Sequence, residues 1–262
     1  MGGPLTQERH DDGVVVLTLD VPERRNAMTD ELTAAWAETI PALRADRSVR
    51  AVVVTGAGSA FCAGGDLSWI AESSELTITD LRERMRPFYR TWLAIRDLEV
   101  PVLAAVNGPA IGAGLCLALA CDLRYASATA KLGAPFVKLG LHPGMAATFL
   151  LPDVIGAARA RDLLLTGRTV DAAEAYRIGL VDGVHPADEL LPAVLDLAGQ
   201  MAAGAPLAVR LTKAALAHPG HRTLDEALHW EGLAQPVSMA SDDLREGLAA
   251  QAERRPPRFT GR

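Results

Sequence analysis

Aromatic residues are scarce in this 262-residue chain, at 5%, and only three cysteines occur, Cys62, Cys116 and Cys121. With so few rings, the core has to be built largely from Ala and Leu, in closely packed helices. An odd cysteine count with no Cys-x-x-Cys pair and no Cys/His spacing excludes a disulfide framework and a structural metal. Each cysteine sits among apolar residues and reads as a reduced thiol of a cytoplasmic protein. No run approaches the roughly 20 uninterrupted apolar residues of a spanning helix. The stretch Met1 to Asp12 also lacks the apolar centre of a signal peptide, so a soluble protein without a membrane role is expected. Positive charge is in short supply too: 26 Lys and Arg against 32 Asp and Glu give a formal charge of −6. That balance argues against a nucleic-acid surface. An anionic ligand stays open, because a few arginines or a helix N-terminus can hold phosphate inside an acidic protein.

What is present begins with three apolar, Val-rich runs, Val14 to Leu19, Ala51 to Thr55 and Val102 to Val106. They read as strands buried on both faces, which are continuously apolar instead of alternating. Helical patterns separate them. After Thr29, a candidate N-cap, the residues Leu32, Ala35, Trp36, Thr39, Ile40 and Leu43 recur at helical spacing. Strands alternating with helices predict βαβ units and a mainly parallel sheet, an α/β fold. Beyond Asp153 the pattern turns helical: Ala157 to Thr166, Asp171 to Ile178, Ala187 to Ala203, Pro206 to Ala217 and Thr223 to Leu233. Only Leu180 to Val184 offers a further strand. The division expected is an α/β core over residues 1–200 and a helical segment over 201–262, thin for an independent domain and suited to packing on the core or on a second subunit. The basic stretch Arg254 to Arg258 reads as a solvated end.

Two glycine-rich turns follow two of the strands. One is Gly56-Ala57-Gly58-Ser59-Ala60-Phe61-Cys62-Ala63-Gly64-Gly65-Asp66-Leu67, and the other is Asn107-Gly108-Pro109-Ala110-Ile111-Gly112-Ala113-Gly114, which enters the apolar stretch Leu115 to Ala120. Ligands of open α/β sheets bind at the carboxyl ends of strands, where these turns fall. Ala113 falls at a helix start, where amide N–H groups lack partners and the dipole favours negative charge. Neither turn is a dinucleotide fingerprint or a Walker A loop.

Taken together the turns resemble the enoyl-CoA hydratase/isomerase, or crotonase, family. Ala60 to Leu67 is similar to its first oxyanion motif, and Pro101 to Gly108 through Ala120-Cys121-Asp122-Leu123 to its second. The similarity continues through Thr166-Gly167-Arg168, Ala172 to Val181 and Pro257 to Arg262, nearly the whole chain. The resemblance implies a crotonase-like spiral of ββα repeats with a helical C-terminal segment, acting on an acyl-CoA thioester with coenzyme A as part of the substrate and no separate cofactor. It implies backbone N–H donors at Ala63 and Ala113 that hold a thioester enolate. It places Gly64, Asp66, Leu67, Gly112 and Phe136 around the acyl group, the CoA nucleotide near Arg24 and Arg25, and Lys213 and Phe259 approaching from the C-terminal helices. Trimers, or dimers of trimers, are the implied assembly.

The resemblance breaks at the proton-moving residues. Hydratases of the family use two glutamates. One lies three residues after the second oxyanion residue, where this chain has Cys116. The other follows a proline, where Pro135 is followed by Phe136. Neither residue does carboxylate acid–base chemistry. Cys116, in an apolar helix, and His142, in the loop Leu139 to Gly144, are the candidates left for proton transfer. The stretch Trp69 to Met85 adds Glu72, Glu75, Asp80 and Glu83. The runner-up reading is a non-catalytic acyl-CoA-binding protein.

Overall fold

A computed structural model describes residues 3–66, 68, 71, 76–217 and 223–262. Three of the sequence's strands form as expected: β2 (Val14–Leu19), β3 (Ala51–Gly56) and β4 (Val102–Val106). They sit side by side in a six-stranded sheet. Its other strands are β1 (Leu5–Arg9) before β2, then β6 (Leu123–Ser127) and β9 (Gly183–His185) after β4. All neighbours pair in parallel except β1 and β2. The strands β2, β3 and β4 are mainly apolar because both faces are covered, with Thr18 and Thr55 as the polar positions. Val15, Leu17, Val52, Val54 and Ala104 point into one cluster. Val14, Val16, Val53, Leu103 and Ala105 point into another, beneath helix α6 (Leu190–Ala202). A second sheet joins β5 (Ala110–Ile111), β7 (Lys131–Gly133) and β8 (Thr169–Asp171). From β4 onward the chain alternates between the sheets, β4 then β5, β6 then β7, and β8 then β9.

The first helix, α1 (Asp30–Ala45), starts where the sequence indicates: the Thr29 hydroxyl accepts from the Leu32 N–H at 3.2 Å. Trp36 of α1 stacks on Trp92 of α2 (Ile78–Leu93), ring centroids 4.9 Å apart, and both are buried. This pair anchors α2 beside the site. Helix α3 (Ala113–Ala120) is buried at every residue. The sequence shows helix from Ala157, whereas α4 runs over Ala147–Thr166 with a break at Gly156 (φ 78°), so the expected segment is its second half. The strand expected over Leu180 to Val184 forms as β9, slightly later. After α5 (Ala172–Arg177) and α6 come α7 (Pro206–Ala217), α8 (Leu224–Met239) and α9 (Asp242–Glu253). Among the described residues no single helix is long and apolar enough to cross a membrane.

The basic tail is not free. Arg255 pairs with Glu246 of α9 at 2.6 Å, and the Arg258, Thr260 and Gly261 amides donate to Glu246 and Asp243. Phe259 is thereby laid along α9 beside Gly247.

Candidate functional site

The two glycine-rich turns are stitched into one body. The Phe61 and Cys62 N–H groups donate to the Pro109 carbonyl, and Ile111 N–H donates to the Cys62 carbonyl at 3.0 Å. Two asparagines hold the first turn from outside. Asn26, fully buried, donates to the Ala57 and Ala60 carbonyls and accepts from the Val21 N–H, and Asn107 accepts from Gly56 and donates to Gly58. Such a body presents its backbone groups in fixed directions, with every buried one to be accounted for.

That accounting corrects one expectation. The Ala63 N–H, expected as the first oxyanion donor, donates to the Arg25 carbonyl at 3.0 Å, and Gly64 N–H points to the Cys62 sulfur at 3.4 Å. Gly65 N–H has no acceptor among the described residues and lines the cavity. Across from it, Ala113 is the first residue of α3. The carbonyl four residues back, that of Pro109, already accepts from the other turn, so Ala113 N–H has no partner among the described residues either. Between them stands Gly64, at φ 97°. A Cβ there would lie 2.6 Å from the Ile111 carbonyl and 3.2 Å from the Ala113 nitrogen, so only glycine lets the turns close around the donors.

These groups open onto a cavity of about 610 Å³ with a mainly apolar wall. Ala63, Gly64, Asp66, Gly112, Ala113, Phe136 and His142, all named from the sequence, line it. So do residues that the sequence did not single out, Gly65, Met28, Arg84, Tyr89 and Met145. The tip of the Phe136 ring lies 3.7 Å from where a Gly112 Cβ would stand, so an aromatic ring borders the second N–H at the position where the resemblance expects a carboxylate. Asp66 is held ionised by the Ser68 hydroxyl, with Arg24 2.7 Å away adding to the effect. It serves to fix the turn. Arg24 is thereby committed to Asp66, while the Arg25 side chain is exposed.

Other expected residues fall elsewhere. Cys116 is fully buried and burial pushes its thiol up to about 12, so it stays protonated and unreactive near neutrality. Lys213 donates to the Val100 carbonyl and pairs with Asp122, each at 2.7 Å. Those groups mark the start of β4, about 15 Å along the strand from the glycine-rich end. Among the described residues, neither Lys213 nor Phe259 lines the cavity. Asp80 caps α2 through the Thr77 hydroxyl and N–H, and Glu83 is exposed. Leu67, Trp69, Glu72 and Glu75 lie outside the described residues.

A doubly layered α/β spiral carrying two unpartnered backbone N–H groups over one apolar cavity defines the class of protein. The sequence pattern of the enoyl-CoA hydratase/isomerase family matches residues 9–262, and the chain belongs to that family. It is 38% identical over 252 residues to the Probable enoyl-CoA hydratase echA8 of Mycobacterium tuberculosis, covering 96% of each chain. It is 37% identical over 251 residues to a crotonyl-CoA hydratase of Syntrophomonas wolfei, covering 95% of each. The crystal structure of an enoyl-CoA hydratase from Bacillus anthracis superposes with a TM-score of 0.93 at 33% identity, covering 99% of this chain and 100% of the other.

Proposed function

We propose that this chain binds an acyl-CoA thioester and stabilises the enolate formed from it with the N–H groups of Gly65 and Ala113, as a hydratase- or isomerase-type enzyme. The observation that carries the reading is the pair of unpartnered backbone donors on two mutually bonded turns facing one cavity. Enolate formation moves negative charge onto the thioester oxygen. Fixed donors meet that charge without reorganising, each typically contributing ~3–4 kcal/mol to the transition state. Relatives named for enoyl- and crotonyl-CoA make an α,β-unsaturated thioester the first substrate to try. The exposed Arg25 is the side chain at hand for the CoA phosphates.

A second reading has its own support. Cys116 and Phe136 stand where the family's hydratases carry carboxylates, which fits a protein that keeps the pocket and no longer turns its ligand over. Calorimetry with crotonyl-CoA and butyryl-CoA against free CoA, followed by a broad acyl-CoA turnover screen, separates the two. Binding with turnover supports the enzyme, and binding without turnover across the screen supports the second reading. No affinity for any acyl-CoA loses both.

The helical segment 201–262 supports assembly into trimers, or dimers of trimers. Helix α8 buries none of its residues, and Leu224, Leu228, Leu233 and Val237 are each more than half exposed. Deleting the residues after Thr223 should abolish the oligomer in light scattering. An unchanged subunit number would count against this use of the segment.

A further inference from the structure

Tyr89 of α2 lines the cavity, and its Oη is brought against the turn at Gly144. A Cβ at Gly144 would lie 2.5 Å from that oxygen and 3.1 Å from Cζ, so glycine is what leaves room for the phenol. The same turn meets Cys116 from α3, whose thiol approaches the Gly144 carbonyl at 3.7 Å. Cys116 stands three residues after Ala113, on the same helix face and about 4.5 Å further along the axis. Gly144 thus links the phenol of α2 to the helix face that begins with the oxyanion donor. The turn itself is unusual: Met145 (φ 51°) and Ala146 (φ 56°) are successive left-handed residues, a conformation seldom adopted without glycine. It offers the Met145 backbone to the phenol as a hydrogen-bond partner.

We propose that Tyr89 is a catalytic residue, the group that passes a proton between its Oη and the α-carbon of the bound acyl chain. The proposal rests on the acyl-CoA reading above. In the protonating direction the Tyr89 O–H bond breaks and a Cα–H bond forms. The enolate electron pair supplies that bond, the thioester carbonyl is restored, and a phenolate is left. In the reverse direction the phenolate takes the α-proton, and the electron pair left on carbon becomes the enolate, its charge on the oxygen facing Gly65 and Ala113. Burial raises the phenol above its ordinary range, so the resting group is the neutral donor. The other titratable groups lining the cavity are Asp30, Asp66, Arg84 and His142. Asp66 is bound to Arg24, and Arg84 lies 3.8 Å from Asp30.

The test uses the full chain and butyryl-CoA in D2O, following deuterium entry at the α-carbon by NMR and affinity by calorimetry. Wild type should bind and exchange, the rate rising about tenfold per pH unit below the phenol's pKa as phenolate accumulates. Tyr89→Phe should bind within threefold of wild type, exchange at least about 100-fold more slowly and lose the pH rise. Gly144→Ala, which crowds Oη while leaving the tyrosine in place, should slow exchange at least tenfold and keeps the idea testable if Tyr89→Phe folds poorly. Exchange at the wild-type rate in folded Tyr89→Phe overturns the proposal, as does exchange abolished by His142→Ala and kept by Tyr89→Phe. Binding without exchange in wild type overturns it while the acyl-CoA reading stands. No binding at all overturns that reading, and the proposal with it.

Discussion

Replacing Ala113 with proline removes one donor atom and little else. Ala113 is the first residue of α3, the helix position where proline is best tolerated because its N–H is already without an intrahelical acceptor. No carbonyl is orphaned, since the Pro109 oxygen is satisfied by Phe61 and Cys62. The preceding Gly112, at φ 59° and ψ −120°, has the mirror image of the extended geometry that precedes proline, and it carries no Cβ to clash. Stability should therefore fall by no more than about 1 kcal/mol. A hydrogen bond to a neutral thioester contributes about 0.5–1.5 kcal/mol, so affinity for butyryl-CoA should drop by less than about 15-fold. The same donor facing an enolate is worth about 2.7–4 kcal/mol, so α-deuterium exchange should fall about 100- to 1000-fold. With a 13C label at the thioester carbonyl, the downfield shift on binding should shrink at the same time. A folded Ala113→Pro protein with exchange within threefold of wild type would refute the assignment of this amide.

Gly64→Ala should cost about 2–4 kcal/mol in denaturant unfolding, because the new Cβ combines a left-handed φ with a clash against the Ile111 carbonyl. Any folded fraction should lose butyryl-CoA binding in calorimetry. Cys62, Cys116 and Cys121, each pushed up to about 12 by burial, should resist iodoacetamide at pH 8 in the native protein and label together on unfolding. Rapid native labelling of Cys116, read by mass spectrometry, would contradict its placement. Glu246 is lowered from 4.5 to about 2, chiefly by Arg255 and then by the Arg258 N–H. Its folded-state pKa is depressed, so its hold on the tail is complete above about pH 5 and is lost as pH falls toward 2. The Arg258 amide should then show rising hydrogen exchange over that window and normal protection at neutral pH.

The parallel core was legible in the sequence because strands buried on both faces are apolar at nearly every position, as β2, β3 and β4 are. β1 was not. It is an edge strand of mixed polarity, Leu5–Arg9, whose pairing with β2 depends on a turn and not on composition. In the proposed site, the position of Ala113 at a helix start was legible because a glycine-rich turn runs into an apolar helix there. The second proposed donor could not be told from its neighbours. Ala63 and Gly65 are two residues apart in one turn, and which N–H is spent depends on the Arg25 carbonyl, 38 residues earlier, reaching Ala63. Tyr89 escaped notice for a similar reason. It lies just past the stretch Trp69 to Met85, and what gives it a place is the contact with Gly144.

Neither proposed donor is a side chain, and this shapes what mutation can do to the protein. Any substitution at Gly65 or Ala113 except proline keeps the N–H, whereas each residue of the cavity wall can be rewritten one codon at a time. Drift would then alter the reaction long before it erased the attachment point for the thioester. Cys116 and Phe136, at the positions where the family resemblance implies carboxylates, are what such a history would leave beneath the proposed pair of amides.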